Sequence, residues 1–323
     1  MSQTENRSVV RVILSVLISF LLYLTGFGSL FFTLPLLMLD RRYPKRTTDT
    51  ACVAALVLVL GRNILLMRDV LDQGLTWAFI AVTMFMPLSL ILSAMVWVGK
   101  GNGENTFRRV LLSFSPVLVL FILYEIALVA LPQVRTSLVE AYGGTLAAML
   151  TALLGLEGEA VAFMAEVLLF ALCSLTLPIA LANSVVLAFV YEAASHSGDS
   201  VFERRIRTFR VADWFIYVFL ALWAMVLLFY LVAVPMWITI PVLGLAVCAL
   251  FIYFMQGFAI VAYRLYERGS TMTSLKMASW LFLILLVVQL LNAALVFGLS
   301  ILGVLETWIN FRKPKEFSDE DHS

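Results

Sequence analysis

Residues 237–268 read WITIPVLGLAVCALFIYFMQGFAIVAYRLYER. The first 26 of these residues carry no charge. At about 1.5 Å of rise per residue, an α-helix of that length exceeds a hydrocarbon core of about 30 Å. Trp237 begins the stretch and Tyr263 and Tyr266 end it, and amphipathic rings favour the two membrane–water interfaces. The stretch therefore predicts a transmembrane helix, and Arg264 and Arg268 predict that it ends in the cytoplasm.

A polar pair, Gln256-Gly257, interrupts this helix. An amide in lipid loses its water partners, so we expect Gln256 to face a neighbouring helix or a cavity. Gly257 lacks a side chain and would let a second backbone approach closely. Two interpretations remain open for Gln256. It makes an interhelical hydrogen bond that stabilises the bundle, or it contacts a substrate.

The whole chain has the composition of a polytopic membrane protein. Of its 323 residues, 62% are hydrophobic and 13% are charged, which is more apolar than a water-soluble domain of this size. The net charge of +1 gives no reason to expect a nucleic-acid partner, whereas the lipid bilayer is an expected one. We predict one integral membrane domain at residues 1–313 and an acidic, disordered tail at 314–323.

Apolar runs define the expected helices. A broken run covers 9–39, with a turn at the sequence TGFGS, and the last run is 277–306. Single crossings are expected between them, at 49–68, 74–98, 110–131, 160–191, 212–234 and 237–263. The predicted fold is therefore an all-α polytopic bundle, a six-helix core flanked by a broken helical segment at each end.

The basic residues predict the orientation. If the loop at 40–46 is cytoplasmic, strict alternation places 19 of the 22 basic residues on the inside, which is a strong positive-inside pattern. The terminal runs 9–39 and 277–306 either cross once or go in and return. Charge favours return and a cytoplasmic C-terminus. The pattern indicates a multi-pass protein of the cytoplasmic membrane.

Two loops carry further predictions. The outer loop 132–158 has apolar residues at helical spacing, which predicts a short amphipathic helix that either lies on the bilayer or covers an outward pocket. These residues are Leu146, Met149, Leu150, Leu153 and Leu154. The inner loop 192–212 contains four arginines within seven residues. They grip lipid phosphates or bind a cytoplasmic partner protein.

Ionisable side chains inside spans cost about 2.5–3.5 kcal/mol at mid-helix and therefore indicate pairing or function. Arg62, Glu125 and Glu166 fall at similar depth in the outer part of the membrane. We predict that Arg62 pairs with Glu125 or Glu166. Together with Gln256 these residues form a candidate ligand-binding cluster. The alternative is that they snorkel separately to the outer interface. Glu306, close to the basic tail, is expected at an interface.

Motifs for other chemistry are not found. The three cysteines are far apart inside apolar runs, and the two histidines lie in a loop and in the tail. We therefore expect neither a metal site nor a disulfide framework, and no cofactor. The sequence contains no nucleotide-binding or nucleophile motif, so an enzyme is not expected.

Three segments carry a resemblance to a family. They are GFGSLFFTLPLLMLDRR at 26–42, YFMQGFAIVAYRLYERG at 253–269 and LSILGVLETWINFRK at 299–313. On these segments the chain resembles the YybS-like bacterial membrane proteins, over nearly its whole length, with Glu306 standing where the family pattern has an aspartate. The family has no established activity. Its layout is similar to that of the substrate-binding subunits of energy-coupling-factor transporters, and Ala51-x-x-x-Ala55 is similar to the surface with which those subunits meet their coupling partner.

Two functions follow as expectations. The first is a transport-related subunit that binds a small ligand, of unspecified identity, from the outer side and depends on a membrane coupling protein. The second is a membrane scaffold or assembly factor without a ligand, which acts through its cytoplasmic loops.

Overall fold

The computed structural model describes residues 3–25, 29, 31–40, 43–66, 76–99, 106–155, 159–195, 200–270, 272–287 and 289–312. Throughout these ranges the regular structure is helical and no strand occurs, which confirms the predicted all-α class. The helices are α1 Gln3–Leu24, α2 Leu34–Asp40, α3 Lys45–Leu66, α4 Thr76–Gly99, α5 Thr106–Ala130, α6 Pro132–Leu154, α7 Glu159–Ser195, α8 Ser200–Arg207, α9 Phe215–Leu231, α10 Met236–Glu267, α11 Ser274–Val287 and α12 Gln289–Leu305.

The chain is a membrane protein by the length and apolar character of its helices. Among the described residues, three helical stretches are long and apolar enough to cross a bilayer, namely Lys45–Leu66, Thr106–Ile126 and Met236–Glu267. Shorter apolar stretches, including Val9–Leu24 and Phe215–Leu231, accompany them. Each run expected from hydropathy overlaps at least one of the observed helices, and the two terminal runs each overlap two.

Two loops expected from the sequence are instead largely helical. The predicted short helix near residues 146–154 is only the last part of α6, which begins at Pro132 and ends before Gly155. Proline suits the first position of a helix, and Gly155 ends it in the left-handed conformation at φ 64°, which glycine adopts at little cost. The polar loop 192–212 is also shorter than expected. Helix α7 continues to Ser195 and α8 forms within the arginine-rich segment.

The chain divides into two compact units. Unit 1 comprises Met1–Ser197 and Leu222–Cys248, and unit 2 comprises Gly198–Ala221 and Ala249–Ser323. The predicted tail at 314–323 lies outside the described residues. The single membrane domain expected at 1–313 remains a prediction about the protein in its bilayer.

The core of unit 1 lies between α1, α2, α3 and α4. Its buried side chains include Phe32, Leu36, Val59 and Leu90, together with Ala51 and Ala55, which are each 1% exposed. The small residues of α3 therefore face helices of their own unit. The surface that Ala51 and Ala55 were expected to offer a coupling partner is already covered, because small side chains let the neighbouring helices approach closely.

The first apolar run returns on itself. The Tyr23 hydroxyl at the end of α1 bonds the Asn63 side chain near the end of α3, at 3.2–3.3 Å. Asn63 stands 18 residues after Lys45, where α3 begins, which corresponds to about 27 Å of helix. The chain between Tyr23 and Lys45 therefore runs back along α3, which agrees with the in-and-return path favoured by the charges.

Candidate functional site

Gln256 is buried at 1% exposure and makes three hydrogen bonds, all within unit 2. Its carbonyl oxygen accepts from the backbone N–H of Val211 at 2.8 Å. Its amide group donates to the backbone oxygen of Gly303 at 3.1 Å and to the carboxylate of Glu306 at 3.0 Å. Both ends of the side chain are thus satisfied by the protein, as a buried amide requires.

Glu306 and Arg312 form a buried ion pair beside Gln256. Arg312 donates from Nε to one carboxylate oxygen at 2.6 Å and from Nη2 to the other at 2.5 Å. This is the two-pronged geometry in which guanidinium and carboxylate groups pair most strongly. The side chain of Arg312 is only 10% exposed and that of Glu306 only 2%. Arg312 and Gln256 together engage both oxygens of Glu306 and so allow its burial, while its expected depth at the membrane interface stays a prediction.

Arg312 also holds the end of α8. Its Nη1 donates to the backbone oxygens of Arg207 and Phe209 at 2.8 and 2.9 Å. A guanidinium group there satisfies carbonyls that a helix C-terminus leaves without partners and interacts favourably with the negative end of the helix dipole. Gln256, Glu306 and Arg312 are referred to below as the Gln256 network. The network ties α8, α10 and the chain after α12 together.

Two glycines bring the backbones of α10 and α12 into contact. A Cβ atom at Gly257 would lie 1.8 Å from the carbonyl oxygen of Leu299, and one at Gly303 would lie 2.0 Å from that of Tyr253. Neither position accepts a larger residue without separation of the helices. The close approach predicted for Gly257 is confirmed. It also brings Gly303 within reach of the Gln256 amide.

Aromatic packing fixes the start of α9 against α10. The ring of Tyr253 lies 5.9 Å from that of Phe215 and 5.1 Å from that of Phe219, measured between centroids. Tilted and edge-to-face contacts at these distances are favourable. They hold the segment that carries Val211 at the correct distance from Gln256.

Helix α8 is held by two further contacts. The Glu203 carboxylate accepts from the backbone N–H of Ser274 at 2.8 Å, at the first residue of α11. The guanidinium of Arg207 lies 3.7 Å from the centroid of the Tyr266 ring, which is near the end of α10. The four arginines of the segment 204–210 therefore do not form one solvated group, because Arg207 is stacked on an aromatic ring.

The contacts of Glu203 and Arg312 also give the path of the last apolar run. Ser274 at its start contacts α8 through Glu203, and Arg312 after its end contacts the last residues of α8. Helix α11 has 14 residues, about 21 Å, which is short for a bilayer core of about 30 Å. The run 277–306 therefore leaves α8 and returns to it.

The other predicted site residues are described within unit 1. Arg62, Glu125 and Glu166 belong to unit 1, and no ion pair links Arg62 to either carboxylate among the described residues. The Arg62 guanidinium lies 5.4 Å from the centroid of the Tyr23 ring instead. Glu166 is exposed and Glu125 is half-buried. Within unit 1 the predicted pairing of Arg62 with Glu125 or Glu166 is therefore not seen, and Arg62 contacts an aromatic ring at the end of α1.

The side chains of the Gln256 network bond to one another and to the backbone. Glu306 accepts bonds at both oxygens, Gln256 has bonds at both its oxygen and its nitrogen, and both side chains are buried. Within the described ranges, no group of three or more His, Cys, Asp or Glu residues could hold a metal ion. Cys52 and Cys248 are buried.

Sequence reasoning singled out Gln256 but missed Glu306 and Arg312 as its partners. One signal was available. Glu306 directly follows 17 helical residues that carry no charge, and Arg312 stands six positions later. A carboxylate at the end of an apolar run and a nearby arginine are a pair that burial would require. Comparisons with known families, with curated proteins and with solved structures find no match to this chain.

Proposed function

We propose that the protein is a scaffold or assembly factor of the cytoplasmic membrane, with several crossings, that binds partner proteins through its cytoplasmic loops and has no small ligand. The observation that carries this proposal is the burial of Gln256 and its hydrogen bonding within the protein. The best candidate for a substrate contact is buried, and both its oxygen and its nitrogen are hydrogen-bonded by the protein itself. A binding site would instead present polar groups to a cavity.

The arrangement of unit 2 supports the proposal in a second way. The Gln256 network and the contacts of α8 fix the ends of several helices on one another, so the loops between them project from a rigid base. Rigid elements present a binding surface with less loss of entropy than mobile loops. By the distribution of basic residues this end is cytoplasmic. Membership of the YybS-like family is part of the same proposal.

A transport-related subunit is the second candidate, and Glu125 is the observation in its favour. This carboxylate is half-buried within α5, in a stretch apolar enough to span a membrane. An intramembrane acid is a candidate site for a ligand or an ion. The burial of Ala51 and Ala55 argues against the coupling surface expected on α3, so a coupling protein would have to bind elsewhere.

Site-specific photo-crosslinking in whole cells distinguishes the two. A crosslinking amino acid replaces Arg210 or Asn310, both exposed in unit 2, and Met149, exposed in α6, serves as the control on the opposite predicted side. The scaffold proposal expects one recurrent protein adduct from Arg210 or Asn310 and none from Met149. A stoichiometric small molecule that co-purifies with the native chain and is lost in Glu125→Gln would instead establish the transport subunit.

A further inference from the structure

Three exposed cations stand on the segments that meet at α8. Arg204 is next to Glu203 in the chain, and the Glu203 carboxylate contacts Ser274. Lys276 stands two residues after Ser274. Arg268 stands two residues after Tyr266, and the Arg207 guanidinium stacks on the Tyr266 ring. Arg204, Arg268 and Lys276 are all exposed. They are called the basic rim below.

The acidic side chains around the basic rim are already engaged. Glu203 accepts hydrogen bonds from the backbone and the hydroxyl of Ser274. Glu267 pairs with Arg264 at 2.8 Å. In the part of the chain that the structure describes, no ion pair neutralises Arg204, Arg268 or Lys276. The rim therefore presents unneutralised positive charge, and it attracts anions.

Exposed aromatic rings at the same end indicate which anion. Trp308 and Tyr266 are 64% and 62% exposed. Trp308 lies in the turn between Glu306 and Arg312, and Tyr266 lies under Arg207. Trp and Tyr side chains at the end of apolar helices favour the level of the lipid headgroups. Cations at that level lie beside the lipid phosphates. A soluble acidic protein would reach them only by binding close to the bilayer surface, so lipid is the favoured ligand.

We propose that the basic rim binds the phosphate headgroups of anionic phospholipids. Ile206 and Phe209 are buried and hold α8 in place, while Arg204 is exposed. This proposal is independent of the scaffold function, because it concerns the lipid and not a protein partner. Each Lys or Arg near an anionic surface contributes roughly fivefold in affinity, so the rim contributes on the order of 100-fold.

The test uses the full chain in phosphatidylcholine nanodiscs, with fluorescent phosphatidylglycerol as the probe. The variant R204Q/R268Q/K276Q is compared with K45Q/R46Q/R108Q, which removes three exposed cations from unit 1. We expect binding to the rim variant to weaken by on the order of 100-fold, and binding to the control variant to weaken clearly less. Inorganic phosphate should not displace the lipid if the intact headgroup is the ligand.

Equal weakening in both variants would overturn the proposal, since it would show that overall charge alone attracts the lipid. An acidic protein that displaces phosphatidylglycerol from the rim would overturn it as well. If the triple variant melts at a lower temperature than the native chain, the single change Arg268→Gln decides. Arg268 lies in an exposed turn, and its loss is expected to weaken binding roughly fivefold without a change in melting.

Discussion

Replacing Glu306 with alanine should destabilise unit 2 far more than the loss of any exposed ion pair. The change removes the acceptor of three donors at once, namely Arg312 Nε, Arg312 Nη2 and Gln256 Nε2. The guanidinium group remains buried, with its side chain 10% exposed. A buried charge that loses its partner costs about 3–5 kcal/mol.

The lower end of that range applies here. Arg312 keeps its bonds to the backbone oxygens of Arg207 and Phe209, and these carbonyls stabilise part of its charge. We therefore expect Glu306→Ala to lower the free energy of unfolding by about 3 kcal/mol, which is more than 100-fold in the unfolding equilibrium. Local opening should appear first at Val211, whose amide donates to Gln256.

The assay is hydrogen exchange followed by mass spectrometry of the peptide that spans 204–214, with steric-trap unfolding for the global value. Glu267→Ala is the matched control, because Glu267 pairs with Arg264 at an exposed site of the same unit, where a pair contributes at most about 1 kcal/mol. The double variant E306A/R312A should recover part of the loss, since it also removes the buried charge. Equal destabilisation by Glu306→Ala and Glu267→Ala would refute the reasoning.

Three further predictions concern packing. Gly303→Ala places a Cβ atom 2.0 Å from a carbonyl oxygen of α10 and should lower stability by about 1–3 kcal/mol in thermal unfolding, whereas Gly298→Ala has open space and should stabilise by up to about 1 kcal/mol. Ala55→Leu should destabilise the isolated chain by about 1–3 kcal/mol; weaker partner binding at unchanged stability would contradict the internal role of α3. Arg109→Ala removes a guanidinium that bonds the Trp97 backbone oxygen at 2.9 Å and stacks 4.2 Å from its ring. Hydrogen exchange in the last turn of α4 should then be faster, because the free energy that protects its amides falls by about 1–3 kcal/mol.

The helices could be predicted because uncharged runs of this length have few alternatives in a bilayer. Gln256 and Gly257 were informative for the same local reason, since each breaks the apolar pattern within one helix. The prediction for α6 covered only its last part, because it rested on apolar residues at helical spacing, and these begin at Leu146. Pro132 and Gly155 mark the start and the end of that helix, not its interruption.

The partners of these residues could not be predicted from spacing. Glu306 and Arg312 are close in sequence, yet their pairing depends on the chain turning back after α12 to reach α8. The pairing predicted for Arg62 rested on depth alone, and depth does not determine which helix lies beside it. Small residues such as Ala51 and Ala55 indicate a close contact but not whether the contact is internal or with another protein.

The central claim is that the protein holds partner proteins and no small ligand. It is tested most directly by affinity purification from gently solubilised membranes, with mass spectrometry of both the proteins and the small molecules that co-purify. We expect one or more protein partners, lost when the loops of unit 2 are altered, and phospholipid as the only small molecule. A single metabolite in stoichiometric amount, or recovery of a membrane coupling protein with ATPases, would contradict the account and establish a transport subunit.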